Sequence, residues 1–466
     1  MWSQKQAGQL FRRMLREPER PGGAEKNAVW CLLAARLLSP DYYPDRYQLT
    51  LADCGESLAQ REKNTPWDAV AGAEPARLGQ GLAEACLRMG ALYPELSPVP
   101  PFDVETVDRR GPGLTGLVEE LSYLLEPGEN GARAFALFCA ECAAAGWSAL
   151  GDFFTPDDVA ACLTELAGAQ GRRVCDPCAA SGALLAAARC GGAQTLAAQP
   201  LDPLARAFCA LECLLCSAPA ELCPPADPLT RDGFGARQFE IILANPPFNQ
   251  SRWGTAAADG DPRWQFGPPP RSNGNFAWMQ HILYHLSPGG RAAVLLPNGA
   301  LTSRVARERA IRSAVIGAGL LEAVITLPAG LFYSTRIPCS LWLFSRELPR
   351  RDEVLLISAE ELGEKSDGVG KKTRVLTVGA RRQLLELVEG FRSGALRGRT
   401  ELYAVVRREQ LDTLSPNQYT LPKDGRPSRR EPQVRGLSRE LQELWAQDEA
   451  LTRQLKRQLE AMGFAE

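Results

Sequence analysis

The sequence predicts an α/β protein built on a doubly wound parallel sheet, with a helical region before it and an amphipathic helix after it. Three observations carry that reading. Between residues 174 and 344, short apolar runs alternate with helix-like stretches, the pattern of strands joined by crossover helices. Before residue 140 the apolar positions keep helical spacing without such runs. From about Ser438, Leu441, Leu444, Leu451, Leu455, Leu459 and Met462 form one stripe at three–four spacing.

The elements follow in order. Val29 to Leu38 and Leu82 to Leu92 carry helical spacing, and Ser97-Pro-Val-Pro-Pro-Phe102 and Gly111-Pro-Gly113 punctuate the chain as loop or linker. Leu117 to Ala145 is again helical and leads to Gly151. Strands are expected at Val174-Cys175, Thr195 to Ala198, Ile241 to Ala244, Ala292 to Leu296, Ala323 to Leu327 and Ser340 to Phe344. A shorter segment, Leu402 to Tyr419, precedes a charged stretch, Pro422 to Pro432, expected to be exposed. In the closing helix Ser438 suits an N-cap and Gly463 a stop. The expected division is a helical domain over 1–140, the sheet domain over 141–425, and a linker with an assembly helix over 426–466.

Composition narrows the function. A chain of 466 residues, 45% hydrophobic, is expected to hold two or three domains. No apolar run approaches the roughly 18 residues of a membrane span, and Met1 to Arg20 lacks a secretory core, so the expected compartment is the cytoplasm. Net charge is −2. A free-standing DNA binder normally carries a basic excess, so any grip on phosphates must come from local patches or a partner. Fourteen cysteines raise the question of metal. Cys175-Asp-Pro-Cys178 has ligand-like spacing, but the nearest second pair is His281 and His285, over a hundred residues on. Cys209, Cys213 and Cys216 sit at helical spacing among apolar residues. No metal site is expected.

Asn245-Pro246-Pro247-Phe248 is the most informative motif. It ends an apolar run, Ile241 to Ala244. Two prolines fix φ and remove two backbone donors, so a strand must stop there and a rigid loop begin. Carbonyls around the prolines can face a ligand, Asn245 adds an amide that accepts and donates, and Phe248 supplies a flat apolar face. Such a set can grip a planar heterocycle bearing an exocyclic amine.

Gly151-Asp-Phe-Phe154-Thr155-Pro156, Asp176-Pro-Cys-Ala-Ala-Ser181-Gly182 and Asn245-Pro-Pro-Phe248 occur in that order. The set resembles adenine-specific DNA methyltransferases, most closely the methylation subunit of type I restriction–modification systems. Asp261-Pro-Arg263-Trp264, Asn275-Phe276-Ala-Trp278, Leu331-Phe332-Tyr333 and Leu414-Ser415-Pro416-Asn-Gln-Tyr419 extend the resemblance over roughly residues 140 to 425. It implies a Rossmann-like methyltransferase domain that uses S-adenosylmethionine to methylate the exocyclic amine of adenine. It further implies double-stranded DNA, a specificity subunit and a restriction subunit as partners. By resemblance, Asn245 and the carbonyl of Pro246 accept the amine protons, Pro247 stiffens the loop and Phe248 stacks on the flipped base. Phe154, with Thr155 and Pro156, lies at the cofactor's methionine end. Asp176, Ser181 and Gly182 form the turn beneath the cofactor, and Asp227 sits near its adenine.

Two positions depart from the family pattern. Ala180 stands where the turn usually has a glycine. The strand that normally ends in a ribose-binding acid ends in Ala197-Ala198-Gln199-Pro200, leaving Gln199 or Asp202 as substitutes. The alternative to an active enzyme is therefore a degenerate methylase fold serving as scaffold or DNA clamp. Methylation of a protein glutamine or an RNA guanine is a third reading, less consistent with Phe248 and the downstream runs.

Overall fold

The computed structural model describes residues 4–16, 23–38, 65–122, 131–146, 154–254, 260–366 and 369–422. The closing amphipathic helix, the stretch after Pro422 and residues 151–153 of the first motif lie outside the described residues. The chain opens with α1 (Gln4–Arg16), α2 (Gly23–Leu37), α3 (Pro66–Ala71), α4 (Leu78–Leu92), α5 (Val104–Ser122) and α6 (Gly131–Ala144). Their apolar faces meet around Phe11, Trp30, Leu82, Leu121 and Phe138. Phe11 meets Phe138 edge-on, with ring centroids 5.3 Å apart.

One expectation fails here. Gly111-Pro-Gly113 is not a linker but lies inside α5. The reason at Gly111 is packing: a Cβ there would come within 1.6 Å of the Pro75 carbonyl oxygen. The glycine permits close approach of two backbones, and tertiary packing overrides its weak helix propensity.

The sheet contains β1 (Arg173–Ala179), β2 (Thr195–Pro200), β3 (Ala220–Leu222), β4 (Phe239–Ala244), β5 (Leu286–Pro297), β6 (Leu321–Thr326), β7 (Cys339–Ser345) and β8 (Glu353–Ser358). A small hairpin, β9 (Glu364–Lys365) with β10 (Arg374–Val375), stands apart, and β11 (Tyr403–Arg407) closes one edge of the large sheet. Strand order is β11-β8-β6-β7-β5-β4-β1-β2-β3. Most pairs are parallel, but β7 runs antiparallel to β5 and β6, and β11 antiparallel to β8. Strand Ser340 to Phe344 therefore departs from the parallel expectation. The segment 327–338 that feeds it holds no helix, so the chain turns back instead of crossing over.

Helices α7 (Asp157–Ala167), α8 (Ala183–Cys190), α9 (Pro203–Leu215), α10 (Asn275–Tyr284), α11 (Gly299–Thr302), α12 (Ala306–Gly317) and α13 (Val378–Arg392) complete the domain. The strands are apolar on both sides because both faces are covered. Ile241 and Leu243 of β4 pack with Val159 and Leu163 of α7, while Ile242 and Ala244 pack with Phe276 and Met279 of α10. Helix α9 ties the two regions together: Phe208 lies 5.5 Å from Phe135 and 6.1 Å from Phe138.

The same helix buries Glu212 beside the turn after β1. Burial, with Asp157 adding, pushes its carboxyl from 4.5 up to about 8. The folded value lies above the unfolded one, so this contribution to stability is present at low pH and is lost as pH rises from about 4.5 through 8. Glu212→Gln should therefore stabilise the fold at neutral pH, on the order of 3 kcal/mol. The gain should vanish near pH 4. Urea unfolding at both pH values checks it; an equal effect at each would show that the charge is not responsible.

Candidate active site

The chain passes from β1 to β2 and β3 on one side, then returns to β4 on the other side of β1. This is the point where strand order reverses, and in open α/β sheets it leaves a crevice at the carboxyl ends of the strands. β1 runs into Ala180, Ser181 and Gly182, which lead into α8. Gly182 has φ of 90°, and a Cβ there would lie 3.1 Å from the Cys209 Cα and carbonyl oxygen. Only glycine suits both demands. Ala180 is different. Its φ is not positive, and it is buried in the same cluster as the helical region. The methyl that replaces the family glycine thus causes no left-handed strain.

Asp176 is buried on β1 and accepts a hydrogen bond from the Cys178 amide at 3.0 Å. Burial outweighs that bond and pushes its carboxyl up to about 7. Across the crevice, Asn245 ends β4. Its Nδ2 donates to Thr155 Oγ1 at 3.0 Å, with both residues buried. Thr155 precedes Pro156, the N-cap residue of α7. The ends of β1 and β4 and the start of α7 so converge on one cleft, lined by Thr155, Asp176, Ser181, Gly182 and Asn245 among others. The enclosed part of the cleft measures about 10 Å³, room for about one water.

Aromatic rings form the next layer. Phe154 lies 5.3 Å from the Tyr333 ring, and the half-buried Phe248 lies 6.4 Å from Phe332 at 74°. Pro246 and Pro247 are buried beside it. Two consecutive residues after β6 thus back two rings singled out by sequence. That support is itself anchored. Lys372 donates to Asp158 Oδ1 at 2.8 Å and to the Leu331 carbonyl at 3.0 Å, and the Leu376 amide donates to Asp158 Oδ2 at 2.7 Å.

Gln199 lies on β2, and Asp227 on the loop after β3. Gln199 is buried; its Nε2 donates to the Arg231 carbonyl at 2.7 Å and its Oε1 accepts from the Gly233 amide at 2.9 Å. Asp202 caps α9, accepting from the Ala205 amide at 2.8 Å. Both candidate replacements for the ribose acid thus have structural duties. Asp227 Oδ1 accepts from the Leu229 amide at 2.9 Å, and its Oδ2 accepts from Gln250 Nε2 at 3.3 Å. Buried Arg263 holds the same loop, donating to the carbonyls of Pro228 at 2.7 Å and Leu229 at 3.0 Å. Sequence reasoning assigned no role to Phe332, Tyr333, Arg263 or Gln250. The first three stood inside motif runs; Gln250 carried no signal.

One group has the residue types of a metal site: Asp232, His281 and His285 bring ligand atoms within 4.8 Å of one another. At His281 a hydrogen bond opposes that use. Arg263 Nη1 lies 3.2 Å from His281 Nδ1 and can only donate, so the neutral ring carries its proton on Nε2. Burial holds this ring neutral, its value well below the usual 6.5. Nδ1 then faces the guanidinium and Nε2 carries the proton, so neither His281 nitrogen offers a free lone pair to a metal.

Comparison with known proteins agrees with this architecture. The profile of the N-6 DNA methylase family matches residues 132–424, more than half of the chain. The type I restriction enzyme HindI methylase subunit of Haemophilus influenzae is 33% identical over 262 residues, 53% of this chain and 59% of that protein. The MjaIX methylase subunit of Methanocaldococcus jannaschii is 27% identical over 340 residues, 67% of this chain and 60% of the relative. The chain thus spans about three-fifths of the length of these curated relatives. Among solved structures, a type I restriction–modification methyltransferase subunit from Streptococcus thermophilus superposes with a TM-score of 0.71 at 20% identity. The match covers 90% of this chain and all of that one. That likeness shows the fold. The extent of the family match makes this chain a member of the N-6 DNA methylase family.

Proposed function

We propose that this chain transfers a methyl group from S-adenosylmethionine to the exocyclic amine of adenine in double-stranded DNA. It would act as the modification subunit of a type I restriction–modification complex in the cytoplasm. The observation that carries the reading is the junction of Asn245, Thr155 and the Ala180–Gly182 turn at the switch point of the sheet. The residues also suit the cofactor. Gly182 lets the turn after β1 pack directly against α9, which fixes its backbone at the rim of the crevice, and a buried acid, Asp176, stands ready for an ammonium group. When bound, the cofactor supplies an activated methyl on a sulfonium.

This chain's residues do the rest by positioning. Asp176, Ser181 and Gly182 hold the methionine end, with Phe154 offering a ring face to positive charge. Asp227 holds the nucleoside end, accepting from its amine, while Gln199 acts through the 231–233 backbone that its amide fixes. The target base must leave the duplex, because its amine is otherwise paired and stacked. Phe248 receives it by stacking. Asn245 Oδ1 and the Pro246 carbonyl accept the amine protons and turn the nitrogen lone pair toward the methyl group. The Thr155 bond holds the Asn245 side chain in place at the mouth of α7. Partners would include a specificity subunit, which reads sequence, and a restriction subunit. The stripe from Leu441 to Met462 is the proposed contact with the specificity subunit.

One observation favours the scaffold reading instead: β2 ends without a free carboxylate for a ribose, since Gln199 and Asp202 are both engaged. Calorimetry decides between them. Heat of S-adenosylmethionine binding is expected for the chain alone or with its specificity subunit; no heat and no methyl transfer in either form would establish the scaffold.

Asn245→Ala should lower transfer of labelled methyl to DNA about a hundredfold or more, the scale of losing one oriented polar group at a reacting centre. Cofactor affinity should stay near that of the parent. Full activity in that variant would remove Asn245 from the mechanism. Phe332→Ala should raise the KM for DNA roughly tenfold by freeing the Phe248 ring, within the range for base–aromatic stacking. A change confined to the KM for cofactor would contradict that role.

Asp176 gives a pH dependence. Its carboxyl holds a proton up to about 7 in the free chain, and an ammonium ligand favours the ionised form. Binding below pH 7 should therefore release a proton, and affinity should rise between about pH 5.5 and 7.5. Calorimetry in buffers of different ionisation enthalpy measures the release. Asp176→Asn should abolish it; a release that persists would place the titrating group elsewhere.

A further inference from the structure

We propose that Gln250 is a positioning residue that links the cofactor-adenine end of the site to the base-gripping loop, so that cofactor binding orders that loop. The proposal rests on the reading of Asp227 as the cofactor-adenine contact. Gln250 follows Phe248 by two residues, and its side chain makes two hydrogen bonds in opposite senses. Nε2 donates to Asp227 Oδ2 at 3.3 Å, and Oε1 accepts from Trp278 Nε1 at 3.0 Å. An indole nitrogen can only donate, so the amide orientation is fixed: oxygen to Trp278, nitrogen to Asp227.

The backbone around Gln250 is latched to the start of α10. Its carbonyl accepts from the Gly274 amide at 2.9 Å. The preceding Asn249, at φ of 54°, donates its amide to Asn275 Oδ1 at 2.9 Å, and Asn275 Nδ2 returns a bond to Asn249 Oδ1 at 3.0 Å. On the other side, Asp227 sits on a stiff turn. Its carbonyl accepts from the amides of Thr230 and Arg231 at 3.0 and 2.8 Å, and Arg263 holds the next two carbonyls. A carboxylate on so rigid a turn shifts little without its neighbours, and Gln250 is the side chain that joins it to the loop of Phe248. Ordering of Asp227 by a ligand is thus felt two residues from the ring that stacks on the base.

Gln250→Glu isolates the arm to Asp227. It keeps an oxygen for Trp278 and replaces the donor facing Asp227 by a like charge. S-adenosylhomocysteine is the probe, and binding and amide hydrogen exchange are the readouts. In the parent chain the probe should protect amides of residues 248–254 as well as those of 180–184. In Gln250→Glu its Kd should rise about tenfold, the low end for losing a hydrogen bond to a charged group. At saturation the variant should protect 180–184 but not 248–254. Gln250→Met, which removes both bonds without adding charge, should lose the same protection. The double variant D227N/Q250E, which reverses donor and acceptor, should bind no more weakly than Asp227→Asn alone. An unchanged Kd in Asp227→Ala would overturn the reading of Asp227. Weakened binding in Asp227→Ala, with affinity and protection intact in both Gln250→Glu and Gln250→Met, would overturn the link alone.

Discussion

The hydrogen bond from Asn245 to Thr155 is the constraint on which the rest of the crevice depends. It joins the end of a central strand to the approach of α7, segments ninety residues apart in sequence. Both partners are buried, so leaving either unpaired would cost about 1–3 kcal/mol. That penalty holds the Asn245 side chain against Thr155 and fixes its place in the crevice; a hydroxyl can accept or donate, so the bond sets position rather than which amide atom faces Thr155. The prolines after Asn245 add to this by denying the loop alternative φ angles.

Charge around the turn has a consistent sense. Asp157, Asp176 and Glu212 are all shifted upward, each chiefly by burial. Lys372, the nearby cation, is committed to Asp158 and to the Leu331 carbonyl. A region that buries three acids is poorly suited to an anion, which would push their carboxyls higher still. The aromatic pairs Phe154–Tyr333 and Phe248–Phe332 add ring faces beside these groups.

Much of the sheet was legible because β1, β2, β4, β5, β6 and β7 are apolar runs buried on both faces. What escaped has identifiable causes. β3 is only Ala220-Glu221-Leu222, with too few apolar residues to stand out. The run Val354 to Ile357 of β8 carries the strand signal, although no strand is expected there, and β11 falls inside the segment Leu402 to Tyr419, to which no strand is assigned from sequence. The direction of β7 depended on the absence of a crossover helix, which a loop with Tyr333 and Pro338 does not advertise. Gly111 was misread because its role is set by Pro75, thirty-six residues away. At the site, residues that present backbone or rigid geometry (Gly182, Pro246, Pro247) were visible in sequence. Residues that act through partners were not: nothing local marks Gln250 as the link between Asp227 and Trp278, nor Arg263 as the support for Pro228 and Leu229.

The central claim is that one crevice, between the ends of β1 and β4, holds both the methyl donor and the target base. Ultraviolet crosslinking with S-adenosylmethionine labelled on its methyl group, followed by peptide mapping, tests it most directly. The account predicts label in peptides spanning residues 154–184 or 245–254, competed away by S-adenosylhomocysteine. Label that is competed in the same way but maps to the helical region or to α12 would contradict it.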